Sequence, residues 1–437
     1  MSRSAKIVLF MVLWFSEPVA AEGLLQVYQQ ALQADPKLRT AEYTLEMVSA
    51  QSGQALGQLL PQVNGTVNFS KNNQSNVGGD TRSYDGARYY VSLTQSLLDF
   101  SKFWDWKRSQ KVEDQYSAEL EAAKHQLLLS VAERYFAVLD ADEALTLAKL
   151  EKQTTETQLN QTKQQFAKQL IKITDLYEVE ARLDQIQADE IEAASRLKIA
   201  QQALRELTNA SSPPLEKLRE DISYNELEGN LDDWIEVAKS QNPSMSAQLS
   251  AIDAADDNVV TQKTRYLPVV DLQLNYYDTD TGFQSVQTNH TQTQVAAINV
   301  NVPIFTGGTT TNKVAEANAR LKIAKEQHES LFRELMREVS DAFTSSNANA
   351  MRVKASQKAL SSAITSRESM KTGLEYGVQS IADLMRAQQL EFKAKRELAK
   401  SRYQYISNRF KFLKLIGAIS EANIIEVDDW LVNKSTL

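Results

Sequence analysis

The sequence predicts a mainly α-helical fold with a β-barrel portion, built from one structural unit used twice. Three observations carry this expectation. The chain repeats itself over most of its length, four segments alternate apolar and polar residues, and the helices that follow them are far too long for a compact domain. The repeat shows in paired motifs. Ala31-Leu-Gln-Ala-Asp-Pro36 returns as Ala238-Lys-Ser-Gln-Asn-Pro243, Leu59-Leu60-Pro61 as Tyr266-Leu267-Pro268, and Leu98-Asp-Phe100 as Pro303-Ile-Phe305. Pro36 to Pro61 spans the same 25 residues as Pro243 to Pro268, and Val131 to Asp175 the same 44 as Val339 to Asp383.

Residues 1–21 read as a secretory signal. Arg3 and Lys6 precede the apolar run 7–15, and Val19-Ala20-Ala21 supplies small residues for cleavage after Ala21. The formal net charge is −8, and loss of Arg3, Lys6 and Glu17 takes it to −9. An acidic exported chain without a basic cluster argues against nucleic acid as a partner. The chain contains no cysteine, which excludes a disulfide framework and a lipid anchor on Cys. Beyond the signal no run of 18 apolar residues occurs, so a membrane crossing is expected only as a barrel.

The first repeat spans 22–210 and the second 231–416. Each opens with two helices, expected at 22–34 and 36–60 and again at 231–241 and 243–266, with Pro36 and Pro243 suited to first helical positions. Pro61 and Pro268 end those helices and begin extended segments. Strands are expected at about 62–72, 87–98, 268–278 and 292–303. Val63, Gly65, Val67 and Phe69 alternate with Asn64, Thr66, Asn68 and Ser70; Tyr89, Val91 and Leu93 alternate with Tyr90, Ser92 and Thr94. Val270, Leu272, Leu274 and Tyr276 alternate with Asp271, Gln273, Asn275 and Tyr277; Ala296, Ile298, Val300 and Val302 alternate with Ala297, Asn299 and Asn301.

One such strand alone suits a soluble sandwich. Aromatic residues gathered at the strand ends favour a membrane barrel with two interfacial girdles: Phe69, Tyr89, Tyr90, Tyr276 and Tyr277 towards the loops, Phe100, Trp104 and Phe305 towards the helices. The segments joining the strands, 71–80 and 278–291, are polar and are expected to be long external loops. Four strands cannot close a barrel, and open edges in lipid leave backbone groups unsatisfied. The chain is therefore expected to oligomerise, three copies supplying twelve strands.

After the strands, residues 101–168 contain neither Pro nor Gly, enough for about 100 Å of helix. Leu128, Val131, Tyr135, Val138 and Leu145 follow three- and four-residue steps and form a coiled-coil seam. Return helices are expected at 173–208 and 381–416. The break Asn209-Ala-Ser-Ser-Pro-Pro214 starts a linker, 211–230, which with the tail 417–437 is expected to pack around the waist of the helical body.

These residues resemble the TolC family of outer-membrane channel-tunnels. The resemblance rests on the duplicated Ala-x-x-x-Asp/Asn-Pro helices, the Leu-Pro junctions, Val302-Pro-Ile-Phe-Thr-Gly-Gly308, and the tip segments Ile173-Thr-Asp-Leu176 and Ile381-Ala-Asp-Leu384. The opening segment 24–36 is most similar to members serving type I secretion. The resemblance implies a homotrimer with a twelve-stranded barrel in outer-membrane lipid and a twelve-helix α-barrel in the periplasm of a Gram-negative bacterium. It implies as partners a periplasmic adaptor, or membrane fusion protein, and an inner-membrane ABC or proton-driven pump. It implies an exit duct for type I protein secretion or drug efflux, with no covalent chemistry and no cofactor.

At the periplasmic entrance the resemblance implies an acidic ring, for which Asp383 matches the first position and Arg386 replaces the second acid. Thr174 and Asp175 match the acceptors of an inter-helix latch. The positions of its donors are occupied by Leu374 and Gln379. The adaptor-docking turns correspond to Gln169 and Leu170 in the first repeat and to Gly377 and Val378 in the second.

Other classes find no support. His125, His290 and His328 lie far apart and no metal-ligand spacing, phosphate loop or nucleophile motif occurs, so no metal site and no enzyme is expected. Two rivals from a different class are a periplasmic coiled-coil adaptor and a structural stalk. An adaptor needs a separate β-domain, whereas each strand pair here sits inside a helical repeat; a stalk needs a projecting head.

Overall fold

The computed structural model describes residues 21–75, 78–79, 81–210, 214–280 and 289–432. The expected signal before Ala21, linker residues 211–213, most of the second interstrand segment (281–288) and the last five residues of the tail lie outside the described residues. In chain order the elements are α1 (Leu24–Ala34), α2 (Pro36–Gly57), β1 (Gln62–Ser75), β2 (Thr81–Leu98), α3 (Phe100–Ala167), α4 (Ile173–Thr208) and β3 (Lys217–Leu218). They continue with α5 (Leu231–Gln241), α6 (Pro243–Thr264), β4 (Val269–Asp280), β5 (Thr291–Asn301), α7 (Thr309–Glu375), α8 (Ile381–Leu415), α9 (Glu421–Asp428) and β6 (Leu431–Val432). None of these helices is long and apolar enough to cross a membrane. The chain divides into two compact units, one of 1–36, 125–234 and 339–437, the other of 37–124 and 235–338.

The second of these units holds an antiparallel sheet of order β1-β2-β4-β5. Proline sets where its strands begin. α2 stops at Gly57 rather than at residue 60, and Leu59 and Leu60 turn back onto the carbonyls of Leu56 and Gly57. Tyr266 and Leu267 do the same onto Lys263 and Thr264. In each case the proline excludes the helical conformation from the residue before it, and the chain leaves extended. Asn242 caps α6, its side chain accepting from the Ser244 and Met245 N–H groups at 2.9 and 3.4 Å.

The strand register puts all the apolar alternations on one face. Val63, Leu93, Leu274 and Ala296 form one rung across the four strands, and Gly65, Val91, Tyr276 and Gln294 the next rung on that face. Asn64, Ser92, Asn275 and Val295 lie on the opposite face, followed by Thr66, Tyr90, Tyr277 and Thr293. The first interstrand segment differs from expectation. Residues 71–75 pair with 81–85 as a continuation of β1 and β2, so the ladder takes up much of the segment expected as a loop. No Gly or Pro interrupts 71–75, and ladder bonds run between backbones whatever the polarity of the side chains.

The other unit is built on apolar faces of α1, α3, α4, α7 and α8. Leu24, Val27, Tyr28 and Ala31 bury one side of α1, which packs on α4 and α9. Val131, Tyr135 and Phe136 of α3 are enclosed, as are Val339 and Val353 of α7 and Ile406, Phe410 and Phe412 of α8. The buried Tyr135 hydroxyl donates to the carbonyls of Glu22 and Glu216 at 3.0 and 3.1 Å. Burial, reinforced by the Glu216 charge, pushes its pKa up, so it remains a donor. Linker and tail meet each other: Lys217 and Leu218 of β3 pair with Val432 and Leu431 of β6.

Candidate functional site

The expected site residues of the two hairpins lie in the turns α3–α4 and α7–α8. Both turns use one geometry. Gln169 N–H bonds the Phe166 carbonyl at 2.8 Å and Leu170 N–H the Gln165 carbonyl at 3.0 Å. Gly377 N–H bonds Leu374 at 3.0 Å and Val378 N–H bonds Gly373 at 2.9 Å. This is the Schellman pattern, whose C′ residue adopts the left-handed conformation. Gly377 has φ 72° and Gln169 has φ 58°. The side chain at 169 has therefore not abolished the turn; it adopts a conformation costing a non-glycine residue about 1–2 kcal/mol. Leu170 and Val378, which follow, are both largely exposed.

A second glycine explains the packing of the α7–α8 turn. A Cβ on Gly373 would lie 2.5 Å from Cγ of Gln379. The Gln379 side chain thus lies across the Gly373 backbone, and its N–H also reaches the Gly373 carbonyl at 3.2 Å. It is not placed to meet the first hairpin. Thr174 Oγ1 donates to its neighbour Asp175 at 3.4 Å, and neither side chain hydrogen-bonds α7 or α8. Leu374, at the other donor position of the implied latch, packs against a buried apolar cluster.

That cluster joins the two hairpins. Leu159 of α3 and Leu176 and Val179 of α4 bury against Ile381 and Met385 of α8. Around Leu159 the buried stripe of α3 is polar. Thr155 and Thr162 satisfy their hydroxyls on the carbonyls of Glu151 and Gln158, at 2.9 and 2.8 Å. The Glu151 carboxylate, only 4% exposed, accepts from Arg182 of α4 at 2.6 Å and Arg396 of α8 at 2.7 Å. Sequence reading missed this triad. The available signal was a lone acid on the buried stripe of α3, but its two partners are 31 and 245 residues away. Glu391 of α8, also buried, meets Arg367 of α7 and Lys395, both at 2.7 Å. Burial raises its pKa, but these two cations outweigh burial and hold it below the ordinary glutamate value.

The acids in the first turns of α4 and α8 differ in their surroundings. α8 starts with a capping box: the Asp383 N–H donates to Ser380 Oγ at 3.2 Å, and the Asp383 carboxylate accepts from the Ser380 N–H. The same carboxylate accepts from Ser380 Oγ at 2.6 Å and from Arg386 at 2.8 Å. The Ser380 hydroxyl, then its backbone N–H, hold the Asp383 carboxyl below the usual aspartate range, with Arg386 assisting. In the first repeat Lys172 stands at the cap and offers no side-chain bond.

The aromatic candidates divide by face. Phe69, Tyr89 and Tyr276 lie exposed on the apolar face, and Phe69 meets Tyr89 edge-on at 6.3 Å. Tyr90 and Tyr277 are on the polar face, stacked at 4.7 Å, on the side opposite Phe69, Tyr89 and Tyr276. Both occupy adjacent positions to apolar-face tyrosines, and a one-residue step in a strand reverses the side. Phe100 and Phe305 are exposed beside the strand ends, and Trp104 packs edge-on to Phe103 at 6.1 Å.

Residues 27–210 and 234–418 match the family model described as "Outer membrane efflux protein". The chain belongs to this family. The two matched segments correspond to the two repeats. The outer membrane efflux proteins similar to it include the outer membrane protein TolC of Vibrio cholerae, 28% identical over 417 residues and covering 94% of each chain. The alkaline protease secretion protein AprF of Pseudomonas aeruginosa is 27% identical over 428 residues, 94% of this chain and 88% of that one. Among solved structures, CusC superposes with a TM-score of 0.82 at 17% identity, covering 91% of this chain and 93% of the other. The Campylobacter jejuni CmeC outer membrane channel also gives 0.82, at 18% identity and 95% and 91% coverage. These likenesses establish the fold of this member of the family.

Proposed function

We propose that this protein is an outer-membrane exit duct, passing substrates outward from an inner-membrane pump and a periplasmic adaptor in type I secretion or drug efflux. The observation that carries the reading is the sheet β1-β2-β4-β5. One face is apolar through the helix-end half, across Val63, Leu93, Leu274 and Ala296, and turns polar towards the loops at Asp278 and Gln292; the sheet ends in two strands, β1 and β5, whose outer edges have no partner among the described residues. An apolar sheet face fits lipid, and in lipid both edges must be paired. Three copies joining β5 to β1 close a barrel of twelve strands, an even number within the range of such barrels. Relatives named for protease secretion and for TolC support the same reading.

In this reading the hairpin turns form the periplasmic entrance. Asp383 contributes its negative charge, partly offset by Arg386; the turns at Gln169–Leu170 and Gly377–Val378 receive the adaptor. Thr174, Asp175 and Gln379 form no latch within one protomer, whose two hairpins are held together at the tip by the apolar cluster. Fractionation and planar-bilayer recording test the proposal. Detergent-resistant trimers in the outer membrane, conducting in bilayers, are expected. Recovery of the protein with soluble periplasm defeats the proposal. Asp383→Ala should alter ion selectivity and multivalent-cation block; if both stay unchanged, the role of Asp383 is wrong.

A further inference from the structure

The polar face of the sheet is not uniformly neutral. On its alternate positions in β1, β2, β4 and β5, the ionised side chains are Arg82 and Arg88 in the half near the interstrand turns and Asp271 in the half near the helices. The rung Asn68, Arg88, Thr279 and Thr291 fixes the side on which Arg88 stands. Its guanidinium lies 4.4 Å from the centroid of the Tyr277 ring. That ring stacks on Tyr90 at 4.7 Å and 13°, and the Tyr90 hydroxyl donates to Asn275 at 3.2 Å. The cation is therefore held by a built aromatic support rather than left on a freely moving stem. Asp271 accepts from Ser96 at 2.9 Å at the far end of the same face.

When an apolar sheet face meets lipid, the opposite face lines the lumen. We infer that Arg88, clamped on Tyr277, is a charge-selectivity residue of the barrel lumen, favouring anions and carboxylate- or phosphate-bearing cargo in the loop-end half. The inference rests on the trimeric barrel reading and adds to it a residue outside the entrance. In a trimer Arg88 provides three cations around one lumen cross-section. At about one Debye length from the axis (~10 Å at 0.1 M salt), three unit charges change the local concentration of each ion sign about twofold, hence the anion-to-cation ratio about fourfold.

The absence of native cysteine makes the test direct, because Arg88→Cys introduces the only thiol. Full-length trimers of this variant are recorded in planar bilayers under a salt gradient, before and after cationic or anionic methanethiosulfonate reagents. Tyr276→Cys, on the apolar face, is the control. The expected result is a shift of selectivity towards cations in Arg88→Cys, its return with the cationic reagent and a further shift towards cations with the anionic one, with no response from Tyr276→Cys. Conducting trimers whose reversal potential ignores the charge at 88 overturn this inference and leave the barrel reading intact. A wild type that forms no conducting trimer overturns both. If Arg88→Cys does not assemble, the pair Arg88→Lys and Arg88→Gln replaces it: Lys keeping the wild-type selectivity and Gln shifting it towards cations supports the inference, and equal behaviour refutes it.

Discussion

Removing Arg396 tests whether the Glu151 triad couples the two hairpins. In the wild type the two Glu151 oxygens each take one guanidinium, Arg182 within the first hairpin and Arg396 from the second. Arg396→Leu leaves a buried carboxylate with a single partner. Stripping a buried pair of one member costs about 3–5 kcal/mol. Arg182 remains in place and Arg396 is itself 36% exposed, so about 2–3 kcal/mol is expected here. Local opening that carries this cost should speed amide exchange in α8 around residue 396 and in α4 around 182 by about 30- to 150-fold. Mass-spectrometric hydrogen exchange on the full protein reads it out. The triple variant Glu151→Leu, Arg182→Leu, Arg396→Leu removes the desolvated charge altogether and should recover most of the protection. Wild-type exchange in Arg396→Leu would refute the coupling. A triple variant as labile as the single one would refute the electrostatic explanation.

Other expectations concern the turns. Gln169→Gly should stabilise the α3–α4 turn by about 0.5–1 kcal/mol and Gly377→Ala should destabilise its counterpart by about 1–2 kcal/mol, measured by exchange at the tips. Gly373→Ala pushes against Gln379 and should disturb the α7–α8 turn, whereas adding Gln379→Ala should relieve it; a double variant no better than the single would count against the packing. For pH, the Asp383 carboxyl is lowered in the fold, so its capping contribution is complete above the ordinary aspartate value and is lost as pH falls through the lower folded value. Protection of the first turn of α8 should therefore persist below the ordinary aspartate range, and Ser380→Ala should shift its loss to higher pH. Identical pH profiles would refute the assignment of the shift to Ser380.

Much of the fold is written locally. Pro61 and Pro268 mark the start of strands, and period-two alternation assigns the apolar face rung by rung. Helix α3 was expected from 101 to 168 and runs from Phe100 to Ala167, because nothing in between breaks it. The first interstrand segment was misjudged because its Asn and Ser residues suggest a loop, while its backbone is free to continue the ladder. The conformation at Gln169 is likewise not legible from residue type. Residue type shows no glycine at 169 to supply the left-handed conformation, but bonds to the carbonyls of Phe166 and Gln165 from the N–H groups of Gln169 and Leu170 close the same turn. The aromatic candidates show a different limit: alternation already put Tyr89 and Tyr90 on opposite faces, yet clustering by position grouped them together, and only the register shows Tyr90 stacked on Tyr277.

The sequence by itself determined the repeat, the alternation of strand faces, the length of the helices and the positions of the tip acids. These follow from periodicity and from residues that restrict their own backbone. The tertiary structure alone decided which side chains from distant segments meet: Glu151 with Arg182 and Arg396, Gln379 over Gly373, and Arg88 on Tyr277. The physical reason is that a hydrogen bond or ring contact depends on separations of a few ångströms between elements. Local pattern specifies which face of an element is buried, but only the packed chain specifies what lies against it.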